Sequence, residues 1–359
     1  MRIAVVAITR RGALLADRLC RKMAGLEFYL SSRYACLAEG AHNLFEPAEL
    51  KPLIATIWRK YDGLVLIMAS GIVVRMIAPL LKSKATDPAV IVMDDAGCFA
   101  ISLLSGHLGG ANDLAKRCAD VSGARSVITT ATDANDLPSF DMLAKEYGWI
   151  IDDLAKVKHL NTLLLDNEEI AVVDPSGQTR AWLRGRGCVS FYETFSEAVN
   201  SSARGFLFVT NAVPKLPAGL NKVLILRPRN LVLGIGCNRD TALDEIADLV
   251  SSHLAELTLS IKSVCCVASI AAKRDEAGLT AFARQLDVPF RCFESNELHQ
   301  VVFPSPPSEH ALVAVGVAGV AEPAAILASG GGRLLLHKVK SPNVTLAITE
   351  LKEGFQHDE

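Results

Sequence analysis

The chain has 359 residues, 50% of them hydrophobic and 21% charged, with a formal net charge of −2. That size and composition suit a globular protein of two or three domains with substantial cores, and the near-neutral balance excludes a global basic field for nucleic acid. The longest apolar runs, near 64–74 and 311–321, fall well short of the about 20 residues that a spanning helix needs, so no membrane partner is expected.

Strand-like and helical patterns alternate from the first residues. RIAVVAI (2–8) predicts a buried strand and lacks the extended apolar run and cleavage site of a signal peptide. Residues 12–23 have helical periodicity. GLVLIMA (63–69) predicts a second buried strand, running into a helix over 70–81 that Pro79 ends or kinks. AVIVMD (89–94) and CFAISLL (98–104) predict a hairpin across DAG, and GGANDLAKRCADVSG (109–123) a helix with a glycine stop. Composition shifts at ATDANDLPSFD (131–141), which is rich in Asp and Asn, carries a proline and precedes a new helical pattern, DMLAKEYGWIIDDL. A boundary is placed there.

Residues 137–228 form a smaller and more polar segment, with strands predicted at 168–174, 205–210 and 222–226. A second boundary falls at RPRN (227–230). NLVLGIGCNRDTALDEIADLV then reads as a strand passing through glycines into a helix, followed by strands at 264–270, 288–293, 333–339 and 343–349 and helices at 275–286 and 320–329. The tail GFQHDE reads as frayed. The expected architecture is α/β in three segments: α/β domains at 1–136 and 229–359 flanking a smaller α/β middle domain at 137–228.

Nine cysteines, none in a C-x-x-C, include Cys20, Cys98, Cys118, Cys237 and Cys292 in apolar patterns. They read as buried free thiols of a reducing, cytoplasmic compartment. No spacing gathers the four Cys or His ligands of a zinc site, so no protein metal is expected.

Three strand-to-helix turns share a design: ASGIVVR (69–75), SGHLGGAND (105–113) and GIGCNRDT (234–241). Backbone amides at a helix N-terminus favour an anion, and glycine lets a ligand approach closely. An ordinary tight βα connection explains any one such turn equally well. Ser70, Gly71, Ser105, Gly106, Gly109, Gly110, Asn112, Gly234, Gly236 and Cys237 are therefore candidate ligand contacts. Arg75, Lys82, Lys84, Arg239, Lys273 and Lys338 recur near the turns and would suit a ligand with several carboxylates, although each alone reads as a solvated charge. Glu276 stands at a helix start, where a dipole partner is the simplest role. GIGCNR matches only the first two glycines of a dinucleotide fingerprint, and no phosphate-binding P-loop is present, so no nucleotide cofactor is expected. His107 is the foremost candidate for proton transfer, because an imidazole titrates near neutrality. Asp113, in the first turn of a helix, and Asp94, in a hairpin turn, are the other candidate acid–base groups; dipole and turn chemistry account for both as well.

The block GIVVRMIAPLLKSKATDPAVIVMDDAGCFAISLLSGHLGGANDLA resembles the CbiG family of cobalamin biosynthesis. DMLAKEYGWIIDD and KHLNTLLLDNEEIAVVD resemble that family's middle region. GIGCNRDTALDEI, ASIAAKRDEAGL and VAEPAAILASGGGRLLLHKVKSPNVTLAI resemble its C-terminal domain and the stand-alone protein CobE. The chain has Asn238 and Asp240 where the family commonly has a basic residue and a glycine, and His337 where it commonly has proline.

The resemblance implies a cobalt-precorrin-5A hydrolase, which opens the δ-lactone of a cobalt-containing tetrapyrrole and releases a two-carbon unit as acetaldehyde. The cobalt would arrive in the substrate, so no cofactor is implied, and other enzymes of the corrin pathway are candidate partners. In the mechanism expected on that basis, water attacks the lactone carbonyl with His107 or Asp113 as base. The Gly109 and Gly110 amides stabilise the oxyanion, and Arg75, Lys82 and Lys84 hold peripheral carboxylates. A hand-over protein for corrinoid intermediates is the competing expectation.

Overall fold

A computed structural model of the chain describes residues 1–37, 40, 42–83 and 86–355. It divides into two compact units: residues 1–145 with 185–187, and residues 146–184 with 188–359.

The first unit is built on a seven-stranded sheet. Its strands are β1 (Ile3–Ala7), β2 (Leu26–Ser31), β3 (Asn43–Phe45), β4 (Gly63–Ile67), β5 (Ala89–Met93), β6 (Phe99–Leu104) and β7 (Arg125–Val127), in the order β3-β2-β1-β4-β5-β6-β7. The first five run parallel. β6 returns antiparallel to β5, as the predicted hairpin requires, and β7 runs parallel to β6. Two strands at one side thus point opposite to the other five.

Both faces of this sheet are covered, which is why its central strands read as unbroken apolar runs. Ile3, Val5 and Ala7 of β1 pack in one core with Leu15 and Leu19 of α1 (Arg10–Lys22) and with Leu114 and Ala115 of α4 (Ala111–Ser122). Ala4 and Val6 face the opposite core, with Ile54 and Ile57 of α2 (Leu50–Lys60) and Val73 and Ile77 of α3 (Ser70–Ile77). Thr9 caps α1 by accepting the Gly12 amide at 3.0 Å. Gly123, at φ 80°, ends α4 in the left-handed conformation, as the glycine stop predicts. After β7 come two short helices, α5 (Ala131–Ala134) and α6 (Phe140–Glu146).

The second unit carries two five-stranded sheets. In one, β8 (Ile150–Ile151), β9 (Ile170–Val173), β10 (Val189–Tyr192), β11 (Gly205–Val209) and β12 (Val223–Arg227) lie in the order β10-β9-β11-β12-β8, and α7 (Leu154–Leu165) packs on it. In the other, β13 (Leu231–Cys237), β14 (Val264–Ile270), β15 (Phe290–Phe293), β16 (Leu334–Lys340) and β17 (Val344–Glu350) lie in the order β15-β14-β13-β17-β16. The fold is α/β with three mixed sheets.

Three local expectations change. The helical pattern over 141–154 stops at Glu146; Gly148 takes φ 64° and the chain enters β8. Cys98 is exposed at the exit of the β5–β6 turn, while Cys118 is buried and Cys20, Cys237 and Cys292 are half-buried. The glycines of GIGC lie inside β13, not in the turn after it. Among the described residues no helix is long and apolar enough to cross a membrane. The last four residues of the tail, 356–359, lie outside the described residues.

Candidate active site

Strand direction sorts the candidate residues of the first unit. The turn at 69–75 follows β4, at the edge where Ile67 pairs with Met93 and Met93 with Ala100. The SGHLGGAND turn follows β6, whose end, Leu104, pairs with Val90 at the start of β5. The two turns therefore lie on opposite edges of the sheet, separated by the three residue steps from Val90 to Met93, about 10 Å of strand. Ser70, Gly71 and Arg75 are exposed on the first edge, and Arg75 Nη1 turns back to the Gly71 carbonyl at 2.9 Å. Asp94 belongs to that edge too. Its carboxylate accepts the Phe99 amide at 2.7 Å and the Cys98 amide at 3.2 Å, which closes the hairpin turn. Burial raises its pKa, but these amides outweigh that and hold it below the ordinary aspartate value.

Lys82 and the whole of 105–113 occupy the other edge. The Lys82 amide donates to the Asp87 carboxylate at 3.0 and 3.1 Å, and Ser105 Oγ donates to the Asp87 carbonyl at 3.0 Å. Lys82 is exposed there, and Lys84 lies outside the described residues.

The glycines of this loop serve the loop itself. A Cβ on Gly109 would stand 2.4 Å from Ser105 Cβ and 2.7 Å from the Ser105 carbonyl oxygen. One on Gly106 would stand 2.7 Å from Asn112 Oδ1, and Gly110 takes φ 85°. The chain wraps back so tightly that its own carbonyls take up the helix-start amides. Gly110 donates to the His107 carbonyl at 2.9 Å, Ala111 to that of Ser105 at 3.1 Å and Asn112 to that of Gly106 at 3.0 Å. For Gly110 the expected anion is replaced by the loop itself, since its amide already has the His107 carbonyl as acceptor. Asn112 is buried, accepting from Ser102 Oγ at 2.7 Å and donating through Nδ2 to Asp133 Oδ2 at 3.0 Å. Asp113 is exposed on the first turn of α4, where its charge complements the helix dipole.

His107 is the centre of the cluster. Its Nε2 lies 2.8 Å from Asp133 Oδ2, and its Nδ1 lies 3.3 Å from Ser139 Oγ and 3.4 Å from Asp141 Oδ2. Thr132 Oγ1 stands 3.4 Å from Nε2. Topology explains the meeting: β6 and β7 are parallel neighbours, so the loop after β6 and helices α5 and α6 after β7 share one edge. Asp141 is buried at 4% exposure, and Ser139 donates its hydroxyl proton to it. The Asp141 bond raises the His107 pKa above its ordinary 6.5, against the opposing effect of burial, and Asp133 adds to the rise. Burial pushes Asp141 up, but the His107 ring and the Ser139 hydroxyl overcome it and hold the carboxyl down at about 2. Asp133, Ser139 and Asp141 were not among the sequence candidates. The signal was the Asp-rich run at 131–141, which on composition alone reads as a linker.

In the second unit, β13, β14 and β16 run in one direction, so their C-terminal ends share one edge. Cys237, Arg239, Lys273, Glu276 and Lys338 gather along it. Glu276 is buried, accepting the Asp240 amide at 2.7 Å and Lys273 Nζ at 2.9 Å, which depresses its pKa against the effect of burial. Burial raises the pKa of the Cys237 thiol. Lys338 donates its amide to the buried Glu322 at 2.9 Å and its Nζ to the Pro306 carbonyl at 3.1 Å. Arg239 is exposed. Gly234 and Gly236 do not line the edge. A Cβ on Gly234 would stand 2.0 Å from the Ala321 carbonyl oxygen, and one on Gly236 would stand 2.7 Å from Thr345 Oγ1. The close approach that these glycines permit is made by the helix Ala321–Ala328 and by β17, not by a ligand.

Among the described residues no group of three or more His, Cys, Asp or Glu side chains could hold a metal ion. Residues 52–133 match the family model described as cobalamin synthesis G N-terminal, 138–228 the cobalamin biosynthesis central region, and 231–349 the cobalamin synthesis G C-terminus. The chain belongs to the CbiG family. A relative in Priestia megaterium named cobalt-precorrin-5A hydrolase is 37% identical over 351 residues, covering 96% of this CbiG-family chain and 94% of the relative. One of the same name in Salmonella typhimurium is 35% identical over 295 residues, covering 80% and 82%. The protein CobE of Sinorhizobium sp is 33% identical over 122 residues, covering 33% of the chain and 78% of that protein. The family match at 52–133 ends on Asp133, and the central match, from 138, takes in Ser139 and Asp141.

Proposed function

We propose that the protein is a cobalt-precorrin-5A hydrolase that opens the δ-lactone of a cobalt-containing tetrapyrrole and releases the two-carbon unit as acetaldehyde, leaving cobalt-precorrin-5B. The two relatives of that name, aligned over most of their length, support the reaction class. The observation that carries a chemical site in this chain is the His107 cluster, with one imidazole between two carboxylates. Hydrolysis of a lactone needs a group to take a proton from water and a group to return one to the departing alkoxide, and this cluster holds both kinds. The substrate is a polycarboxylate, and exposed cations stand near the loop. Lys82 is one. Lys145 is another, its Nζ 3.8 Å from where a Gly110 Cβ would lie. Arg75, also exposed, is a further candidate for a peripheral carboxylate.

Acetaldehyde release from cobalt-precorrin-5A by wild type and by His107→Ala, with corrinoid binding followed by absorbance on the same samples, tests the reading. Release by wild type and loss in the variant with binding intact supports it. Binding by wild type without release replaces it with a hand-over role.

A further inference from the structure

We propose that Asp133, not His107, is the general base that takes the proton from the attacking water, with His107 held behind it as an imidazolium and Asp141 positioning His107. The proposal rests on the hydrolase reading above and assigns roles within it.

An acceptor faces each ring nitrogen at close range. Ser139 has one hydroxyl proton and donates it to Asp141, so Ser139 Oγ faces His107 Nδ1 as an acceptor. Asp141 Oδ2, on the same side, accepts too. At Nε2 the near neighbour is Asp133 Oδ2 at 2.8 Å. A neutral imidazole has one proton and would leave one of these contacts as two opposed lone pairs. Two carboxylates facing two nitrogens are satisfied only by a ring that carries both protons. Among the described residues the ionisable groups facing the ring are Asp133 from α5 and Asp141 from α6. A ring already carrying two protons has no lone pair with which to accept one from water.

Asp133 is placed to do so. Its Oδ2 is tied to His107 Nε2 and to Asn112 Nδ2 at 3.0 Å, and among the described residues its Oδ1 takes no hydrogen bond. The side chain keeps 30% exposure, against 14% for His107 and 6% for Asp141. One oxygen is held and the other is open. Asn112 is fixed in turn by Ser102, so the carboxylate is oriented from a buried helix start.

The step balances without a further reactant. Water adds to the lactone carbonyl carbon as Asp133 Oδ1 takes its proton. The tetrahedral intermediate collapses, the ring C–O bond breaks, and the proton on Asp133 passes to the departing alkoxide. The carboxyl product ionises, and Asp133 is again a carboxylate.

The test is kcat/KM for acetaldehyde release against pH in wild type, Asp133→Asn, Asp133→Glu and His107→Gln, with corrinoid binding measured alongside. The expected wild-type profile shows no acid limb at a histidine-like midpoint, because a ring that already carries both protons takes none from water. Asp133→Asn should bind the corrinoid and lose at least about 100-fold in kcat. Asp133→Glu should recover part of that loss, and His107→Gln should keep more of kcat than Asp133→Asn does. Asp133→Asn with wild-type kcat, or an acid limb above pH 6.5 that vanishes in His107→Gln, overturns the assignment and leaves the hydrolase standing. A wild type that binds the corrinoid and releases nothing overturns the hydrolase reading and this assignment with it.

Discussion

Asp141 and His107, 34 positions apart in sequence, meet at 3.4 Å because β6 and β7 run side by side in the same direction. The contact joins a buried carboxylate to a ring that a second carboxylate, Asp133, holds from the other side. Charge is thus concentrated at the one edge of the first sheet where two strands reverse the direction of the rest.

The Asp141 carboxyl, held at about 2 when folded against an ordinary 3.8, ties stability to acid pH. A depressed carboxylate pKa contributes stability that is present above the unfolded value and lost as pH falls through the folded one. The difference corresponds to about 2 kcal/mol. Urea unfolding should show wild type losing about that much more than Asp141→Asn between pH 4 and pH 2. Equal losses in both proteins would show that the buried carboxylate is not held by charge.

His107 predicts the opposite limb. Its folded pKa is raised above 6.5, so its contribution to stability is complete below that value and disappears as pH rises through the folded midpoint. A ring titration by NMR should give a midpoint above 6.5 in wild type and a lower one in Asp133→Asn. A wild-type midpoint at or below 6.5 would contradict the double pairing.

Gly109→Ala places a methyl group 2.4 Å from Ser105 Cβ and 2.7 Å from the Ser105 carbonyl oxygen. The loop cannot accept it without opening, and a loss of about 1–3 kcal/mol in unfolding free energy is expected. The His107 titration should move toward the ordinary histidine value in the same variant. Wild-type stability would mean that the loop does not wrap on itself.

At Gly234→Ala the added carbon meets the Ala321 carbonyl oxygen at 2.0 Å, with Ala325 Cβ at 2.7 Å. Overpacking between β13 and its covering helix should lower the melting temperature by several degrees, at a cost of about 1–3 kcal/mol or more. Were Gly234 a ligand contact instead, the variant would weaken corrinoid binding and melt like wild type.

Much of the framework could be read from pattern alone. RIAVVAI, GLVLIMA and AVIVMD announce buried strands because both faces of each meet apolar partners. The stretch 24–60 is less legible, for β2 is only half-buried, β3 is three residues long and α2 begins without a side-chain cap. The DMLAKEYGWIIDDL pattern misleads for a similar reason: Gly148 breaks a run whose periodicity continues on both sides of it.

The candidate site divides in the same way. His107 stands out in sequence because a titrating ring among glycines is unusual chemistry for a turn. Asp133 and Asp141 do not, because aspartates in a proline-containing polar run are ordinary linker composition. Gly234 and Gly236 point the wrong way, since a glycine that admits a helix backbone and one that admits a ligand look identical in a single sequence.

The sequence by itself determined the α/β class, the core strands, the hairpin, the glycine stop of α4 and the histidine on its loop. These follow from local periodicity and from the backbone freedom of single residues. Tertiary structure alone decided which side chains face that histidine, and that the turn at 69–75 lies on the opposite edge. Both depend on strand direction within the sheet, which is set by the pairing of distant segments and leaves no trace in local pattern.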